Sequence, residues 1–281
     1  MTLQKAVVLG SNQLKGKKFQ TPFLDAVVLL AHLMGITKEE VFSCYFDLIP
    51  TKIFRCYKEL INRRSLGEPV AYLCGEKEFY GRSFLVNQSV LIPRPETESL
   101  VDVALEYGDE INFQGENITV HDVGTGSGAI AITLQLERPC WHVSASDISL
   151  AALTVAKENR DHFRAAKIPM AQSDLLPAFP RKWNLIVSNP PYLTTKEVVD
   201  SQEIHCFEPS IALDGGSDGT NITLNLMKQA KYRLVSKGSL IIEIASQSFE
   251  TIIKYSETLN YTSTKLIYDL AGMPRIVIAS I

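Results

Sequence analysis

From residue 117 to the end of the chain, short apolar segments typical of strands alternate with longer segments typical of helices. The strand segments are NITVHDV, WHVSASD, IPMAQSD, WNLIVSN and SLIIEIA, and the helical segments are SGAIAITLQLE, SLAALTVAKENRDHF and NITLNLMKQAKYRLVS, the last predicted to end at Gly238. Such alternation predicts an α/β fold, with a parallel sheet covered by helices on both faces. Only the turn AGM separates the last two strands, YTSTKLIYDL and PRIVIASI, so we expect these two to pair antiparallel.

The N-terminal part of the chain has helical patterns and no cluster of catalytic side chains. TPFLDAVVLLAHLMG opens on Thr-Pro and closes on Gly35, and PTKIFRCYKELINRRSLG has similar start and stop signals. In TKEEVFSCYF, Thr37 and Glu40 have the spacing of a capping box. We predict a small helical bundle over residues 1–67.

A change of period separates this bundle from the α/β part. EFYGRSFLVNQSVLIP alternates apolar and polar residues and is broken at Tyr80-Gly81, which predicts a β-hairpin linker over residues 68–95. RPETESLVDVALEYG then predicts a helix after Pro95, and the catalytic domain is expected over residues 96–281.

Composition limits the classes of function. Of 281 residues, 46% are hydrophobic and 21% charged, as in a globular protein with a full core. The net charge of −3 gives no basic surplus, so direct nucleic-acid binding is not expected. The five cysteines are scattered without a Cys-x-x-Cys pair, which favours reduced thiols over a zinc site or disulfides. No signal peptide or membrane span is apparent, so we expect a cytoplasmic, monomeric protein without a metal.

A glycine-rich loop follows the first strand of the α/β part, at Gly124, Thr125, Gly126, Ser127 and Gly128. Glycines between a strand and a helix let a ligand approach the backbone, and the helix start offers free N–H groups. Taken alone, such a loop is weak evidence, because many are only tight connections.

Acidic residues end the next two strands. Asp147 lies about 20 residues after the loop, where an acidic side chain binds ribose hydroxyls in dinucleotide folds; its alternative role is a helix cap. The spacing GxGxG, in place of GxGxxG, favours a ribose ligand without a pyrophosphate, such as S-adenosylmethionine. Asp174 ends the third strand and is a candidate for the adenine end of this ligand, the alternative being a loop or capping carboxylate.

The tetrapeptide Asn189-Pro190-Pro191-Tyr192 ends the fourth strand. In a doubly wound sheet the first and fourth strands are neighbours where the winding reverses, so this corner should face the glycine loop. An –NH₂ group on a conjugated carbon attacks a sulfonium methyl poorly unless two acceptors hold it in place. The Asn189 side-chain oxygen and the Pro190 carbonyl could be those acceptors, and Tyr192 an aromatic wall. The alternative is a rigid turn with Tyr192 filling the core.

Several segments together resemble one family over nearly the whole chain. GEKEFYG, VLIPRPETE, DVGTGSGAIAI, SDIS, NLIVSNPPY and FEPSIALDGGSDG are similar to signatures of the protein-(glutamine-N5) methyltransferases of peptide chain release factors, the PrmC/HemK family. The resemblance implies a seven-stranded, Rossmann-like S-adenosylmethionine-dependent methyltransferase domain behind a small N-terminal helical domain and a β-hairpin linker. It also implies that the helical domain helps to dock a release factor, whose Gly-Gly-Gln loop enters the pocket.

By position, the resemblance assigns the candidate site residues. Residues 124–128 would line the methionine part of the cofactor, Asp147 would bind the ribose, and Asp174 with Leu175 would border the adenine. Residues 189–192 would bind the glutamine amide, with Asn189 touching both ligands.

The chain departs from the family pattern at three places. Residues 25–30 read DAVVLL where the family has DAExLL. His121 stands where the family usually has Leu, and a lone His on a central strand is more often a core residue than a catalyst. Ala245 replaces the glycine of the family's EIG segment.

Two other kinds of function are compatible with parts of this pattern. The first is methylation of an adenine amino group in nucleic acid, which requires a similar corner. The second is that of a dinucleotide-binding dehydrogenase or of a binding module without catalysis.

Overall fold

The computed structural model describes residues 1–16, 21–112, 118–178, 181–200 and 207–281. Asn117, with which the first predicted strand of the α/β part begins, lies outside the described residues. The chain divides into two compact units, Met1–Glu76 and Lys77–Ile281. The domain limits at residues 67 and 95 stay predictions.

The first unit is helical. Its helices are α1 (Leu3–Leu14), α2 (Pro22–Met34), α3 (Lys38–Ser43), α4 (Thr51–Ser65) and α5 (Val70–Cys74). The three predicted helices correspond to α2, α3 and α4, whereas α1 and α5 were not predicted. The capping box of α3 is confirmed: the Glu40 N–H donates to the Thr37 hydroxyl, and the Thr37 N–H donates to the Glu40 carboxylate.

The second unit begins with a hairpin and continues into a large sheet. The hairpin strands are β1 (Glu76–Phe79) and β2 (Arg82–Leu85). The sheet strands are β3 (Thr119–Val123), β4 (His142–Asp147), β5 (Met170–Gln172), β6 (Trp183–Ser188), β7 (Leu234–Glu243), β8 (Ser263–Tyr268) and β9 (Pro274–Ser280). Their order is β5-β4-β3-β6-β7-β9-β8. Only β9 runs antiparallel to its neighbours, as predicted for the last two strands.

Helices connect the strands. They are α6 (Glu98–Asn112), α7 (Ala129–Glu137), α8 (Leu150–His162), α9 (Thr195–Asp200), α10 (Asn221–Arg233) and α11 (Phe249–Thr258). Short 3-10 turns occupy Pro95–Thr97, Ser210–Ala212 and Ser246–Ser248.

One predicted boundary is wrong. The segment NITLNLMKQAKYRLVS was expected to remain helical up to Gly238, but α10 ends at Arg233. Leu234 is extended, fully buried and paired with Trp183 of β6, so the chain enters β7 at that point. Sheet pairing overrides the local helical pattern here.

Two apolar cores lie on the two faces of the sheet. Leu185 and Val187 of β6 belong to one core, and Ile186 between them belongs to the other. Because successive side chains of a strand point to opposite faces, helices must cover both. The predicted α/β fold with seven strands is thus confirmed. Among the helices of the described ranges, none combines the length and apolar character that crossing a bilayer would require.

Candidate active site

The candidate site lies at the carboxyl edge of the sheet, where β3 and β6 run side by side. Val123 at the end of β3 is in register with Ser188 at the end of β6 and with Ser146 of β4 on the other side. The glycine loop, Asp147 and the Asn189 corner therefore leave the sheet from adjacent positions. This arrangement confirms the expected strand neighbours and is the switch point at which doubly wound folds bind ligands.

A cavity of about 480 Å³ opens at this edge. The predicted site residues that line it are Gly124, Gly126, Asp147, Asp174, Leu175, Asn189, Pro190 and Pro191. Residues 89–91 and 209–212 line it as well. Most of them lie in the segments VLIPRPETE and FEPSIALDGGSDG, which carry the family resemblance but were not predicted as site residues.

The glycines at 124 and 126 leave room for a ligand. Their φ angles are +70° and +56°, a conformation that side chains rarely adopt, and a Cβ atom at either position would meet nothing within 4 Å. The N–H groups of Gly124 and Thr125 both donate to the Ser146 carbonyl, which fixes the start of the loop against β4. The loop is thus rigid on the sheet side and open on the cavity side.

Three predicted cofactor residues do not line the cavity. Thr125 and Ser127 are buried at 5% and 3% exposure, with their side chains turned into the protein. A Cβ atom at Gly128 would lie 2.8 Å from Ile132 and 3.4 Å from Ala156, so this glycine permits close helix packing. Their geometry favours a role in shaping the loop over contact with the methionine part of the cofactor.

Asp122 is a buried carboxylate beneath the loop that was not predicted as a site residue. Its Oδ2 accepts hydrogen bonds from the Thr125 hydroxyl at 2.6 Å and from the Ala131 N–H at 3.2 Å, while its Oδ1 has no partner among the described residues. Complete burial raises the pKa of Asp122 to about 7, against the lowering effect of the Thr125 and Ala131 hydrogen bonds. This carboxyl group ties the loop to the start of α7.

Asn159 is a second polar residue that the sequence did not identify as part of the site. Its Oδ1 accepts from the Leu85 N–H at 2.7 Å, and its Nδ2 donates to the carbonyls of Leu85 and Ser127 at 2.9 and 2.8 Å. It follows Ala152, Val155 and Ala156 on the buried face of α8. An asparagine at this helical position of an apolar stripe was the available signal.

Asp147 stabilises the backbone around it, and its carboxylate can also accept hydrogen bonds from a ligand. One carboxylate oxygen accepts from the Gly126 N–H and the other from the Ser149 N–H, each at 2.9 Å. The N-cap of α8 is Ser149, which accepts from Ala152, so Asp147 is not that cap. Burial raises its pKa, opposed by the backbone N–H groups. Asp147 lines the cavity, and a carboxylate with these bonds keeps acceptor capacity, as a ribose diol requires.

Asp174 and Leu175 follow β5 on the wall of the cavity. Asp174 is exposed and forms no hydrogen bond with the described residues, so it is not a cap there. Leu175 has a φ of +62°, which is unfavourable for a leucine, and its carbonyl accepts from the Ser146 hydroxyl at 2.8 Å. This strained position sets the two side chains beside the cavity.

The Asn189 corner separates two cavities. Residues 189–191 line the 480 Å³ cavity and also a neighbouring cavity of about 220 Å³. Tyr192 and Arg94 line the smaller cavity and not the larger one, whereas Leu91 lines both. Tyr192 is partly exposed, which disagrees with a core filler, and burial of its remaining surface raises the pKa of its hydroxyl.

The segment DGGSDG, residues 214–219, contacts the backbone of the chain at the end of the Asn189 corner. The Gly215 N–H donates to the Leu193 carbonyl at 2.7 Å, and the Leu193 N–H donates to the Leu213 carbonyl at 3.0 Å. A Cβ atom at Gly219 would overlap the Tyr192 carbonyl. Glycine therefore allows a backbone approach that no other residue could make.

An ion pair joins the two segments that line the cavity from outside the sheet. Arg94 donates to the buried Glu208 carboxylate at 2.7 Å, and the Ile92 N–H reaches the other oxygen at 3.3 Å. The lining residues 89–91 and 209–212 lie directly next to this pair in the chain.

His121 is a core residue, as expected. Its ring nitrogens pair with the hydroxyls of Ser144 and Ser146 at 2.8 and 2.9 Å, and its ring lies 4.5 Å from that of Trp183. Burial lowers its pKa to about 3, so the ring is neutral at physiological pH.

Solved structures with a related fold are methyltransferases. The hMettl16 catalytic domain in complex with MAT2A 3′UTR hairpin 6 matches 79% of this chain and 82% of its own, with a TM-score of 0.56 and 13% identity. A methyltransferase from Pyrococcus furiosus matches 78% of this chain and 98% of its own, with a TM-score of 0.54 and 16% identity. At these identities the likeness concerns the fold alone.

Sequence comparisons are more specific. Residues 5–75 match the PrmC N-terminal domain, and residues 110–210 match the methyltransferase small domain. A release factor glutamine methyltransferase of Rhodopirellula baltica is 37% identical over 98% of this chain and 95% of its own. A release factor glutamine methyltransferase of Neisseria gonorrhoeae is 38% identical over 92% of this chain and 93% of its own length. The chain therefore belongs to the release factor glutamine methyltransferase family and is an enzyme of methyl transfer.

Proposed function

We propose that this enzyme transfers a methyl group from S-adenosylmethionine to the side-chain amide nitrogen of the glutamine in the Gly-Gly-Gln loop of peptide chain release factors. The observation that carries the proposal is the wall formed by residues 189–191, which lines both cavities. One cavity has the features of a nucleoside site, and the other has room for a small side chain. Family membership supplies the acceptor.

The larger cavity suits S-adenosylmethionine. Gly124 and Gly126 leave space for a ligand close to the backbone, and Asp147 retains acceptor capacity for two ribose hydroxyls. Leu175 offers apolar surface for the adenine, with Asp174 at its border. When bound, the cofactor would supply an electrophilic sulfonium methyl group. Thr125, Ser127 and Gly128 would act indirectly, by holding the loop.

The corner suits a carboxamide. The side-chain oxygen of Asn189 and the carbonyl of Pro190 accept no hydrogen bond from the described residues, so both are available to the two N–H groups of a substrate amide. The prolines 190 and 191 restrict the backbone that carries these acceptors. Tyr192 would form the aromatic wall for the substrate's planar group. Catalysis would come from positioning and electrostatics, without a strong base.

The alternative acceptor is an adenine amino group in nucleic acid. It is also an –NH₂ on a conjugated carbon, so the corner alone does not separate the two. The net charge of −3 gives no basic surplus for a phosphate backbone, which favours the protein acceptor. We infer that the enzyme acts as a monomer in the cytoplasm, and that its N-terminal unit helps to dock the release factor.

A labelling assay tests the acceptor. The protein is incubated with methyl-labelled S-adenosylmethionine and with one of three acceptors: a release factor, the same factor with its loop Gln replaced, or duplex DNA. We expect label in the first sample only. Label that persists after the Gln replacement, or that enters DNA, would refute the proposal.

A further inference from the structure

A hydrogen-bond chain runs from Asn189 into the protein interior. The Asn189 Nδ2 donates to the Thr97 hydroxyl at 3.0 Å, and that hydroxyl donates to the Glu243 carboxylate at 2.7 Å. Thr97 lies in the 3-10 turn before α6, and Glu243 is the last residue of β7. Both are almost fully buried, at 4% and 2% exposure, so water does not compete for these bonds.

The chain has a defined direction. A threonine hydroxyl has one proton, and here it goes to Glu243, so Thr97 can offer only a lone pair to Asn189. The Asn189 amide must then place its NH₂ group toward Thr97 and its oxygen on the other side. That oxygen accepts no hydrogen bond from the described residues, while Asn189 lines both cavities.

The direction matters because the two ends of an asparagine amide have nearly the same shape. Rotation of the amide by half a turn would present two N–H donors to the substrate in place of an acceptor. A substrate carboxamide nitrogen would then meet donors, whereas a carboxylate would be bound well. Packing alone distinguishes the two orientations poorly, so a hydrogen-bond partner must decide between them.

We propose that Thr97 and Glu243 are positioning residues that fix the orientation of the Asn189 amide and thereby make the site select a carboxamide over a carboxylate. This inference rests on the proposed function, in which Asn189 holds the acceptor amide. Neither residue is among those that line the two cavities, so both would act through Asn189. Glu243 is the acceptor at the interior end of the chain. Burial raises the pKa of its carboxyl group, and the Thr97 hydrogen bond and the nearby Arg275 oppose that rise.

The first test does not depend on any substrate. In ¹⁵N-labelled protein, the side-chain amide signal of Asn189 is assigned by its loss in Asn189→Asp. We expect one of its two protons to exchange slowly in the wild type and in Thr97→Ser, which keeps the hydroxyl. In Thr97→Val, which is similar in size but has no hydroxyl, the protection should be lost. Unchanged protection in Thr97→Val would overturn the proposed hydrogen bond.

The second test measures selectivity. Binding of a Gly-Gly-Gln peptide and of its Gly-Gly-Glu counterpart is compared in the wild type, Thr97→Ser, Thr97→Val and Glu243→Met. In Glu243→Met the Thr97 proton loses its acceptor and can turn to the Asn189 oxygen, which would reverse the amide. We expect the preference for Gln over Glu to fall about tenfold or more in Thr97→Val and Glu243→Met, and Thr97→Ser to stay within about threefold of the wild type.

A structural role and a positioning role give different results. If the variants only lost packing, they would bind both peptides more weakly by the same factor, and their urea midpoint of unfolding would fall. That result would overturn the inference. We expect cofactor affinity to change less than about threefold while kcat/KM for the Gln peptide falls by about 10- to 100-fold. If the wild type methylates no Gly-Gly-Gln acceptor, the proposed function fails, whereas the NMR result still decides whether Thr97 orients Asn189.

Discussion

At the scale of single residues, Asn189 faces two cavities and forms one hydrogen bond to the protein interior. It bounds the cavity proposed for the cofactor and the smaller cavity proposed for the substrate, and it is held from within by Thr97. A side chain in this place can affect catalysis without contributing much to cofactor binding, because the glycine loop and Asp147 provide separate contacts.

Replacement of Asn189 by Ala tests this division of roles. Loss of one positioned acceptor should lower kcat/KM for a release factor by about 10²- to 10³-fold. Calorimetric titration with S-adenosylmethionine should show an affinity within a few-fold of the wild type, since Gly124, Gly126 and Asp147 are unchanged. Turnover similar to the wild type would show that the amide-holding role is wrong.

Asp122 predicts a pH dependence of stability. Its folded pKa of about 7 lies above the ordinary value of 3.8, so the folded state binds more protons between these values. The contribution of this group to the free energy of unfolding is therefore largest below about pH 4 and is lost as pH rises through about 7. The side chain at position 122 cannot titrate in Asp122→Asn, so the stability of this variant should not show the decrease with rising pH that Asp122 causes.

Urea denaturation at a series of pH values measures the difference. Relative to Asp122→Asn, the wild type should lose on the order of 3 kcal/mol of unfolding free energy between about pH 4 and pH 8.5. A difference between the two proteins that does not vary with pH would contradict the raised pKa.

Residues with a local signal were predictable, and those that need a distant partner were not. Gly124 and Asp147 stand at the ends of strands, and residues 189–192 form a motif, so their places followed from the chain itself. Thr97 and Glu243 are 146 positions apart and form one hydrogen bond, and no local pattern links them. Asp122 has no local signal of a role in the site, because its burial depends on the whole sheet.

At the scale of elements, Asn159 connects three parts of the second unit. From α8 it binds both backbone groups of Leu85 in β2 and the Ser127 carbonyl in the glycine loop. Backbone groups shielded from water need partners, and this one fully buried side chain supplies a partner to three of them.

Asn159→Ala should therefore destabilise the second unit and disturb the loop. We expect a loss of about 2–4 kcal/mol in the free energy of unfolding, because three backbone groups lose a partner that is itself fully buried. Weaker binding of S-adenosylmethionine should accompany it. Glu158→Ala, at the exposed neighbouring position of α8, is the control and should stay within about 0.5 kcal/mol of the wild type. Equal effects of the two replacements would exclude the connecting role.

Gly219 and Gly272 form a matched pair for the corner. Their φ angles are +73° and +76°, so replacement by Ala strains both backbones alike. Only at Gly219 would the new Cβ overlap the Tyr192 carbonyl, whereas at Gly272 it meets nothing within 4 Å. Gly219→Ala should raise KM for the acceptor and lower kcat/KM about tenfold or more, and Gly272→Ala should leave kinetics within about twofold. Equal kinetic losses in a methylation assay would mean that backbone strain, not displacement of the corner, is responsible.

At the scale of the whole molecule, the alternation of segments predicted the sheet correctly. The period of the apolar residues distinguishes strands from helices, and short connections restrict which strands can be neighbours. The same reasoning failed at the end of α10, where Leu234 joins the sheet despite a helical pattern. The helices that it missed include α1, α5 and α11, whose stability depends on packing that a single segment does not reveal.

The wall shared by the two cavities has a consequence for redesign. Tyr192, Leu193 and Leu213 line the smaller cavity and are absent from the lining of the larger one. Substitutions confined to these positions would reshape the cavity proposed for the methyl acceptor and leave the lining of the cavity proposed for the donor unchanged. A library at these three sites is therefore the rational starting point for retargeting the enzyme to other amide-bearing side chains.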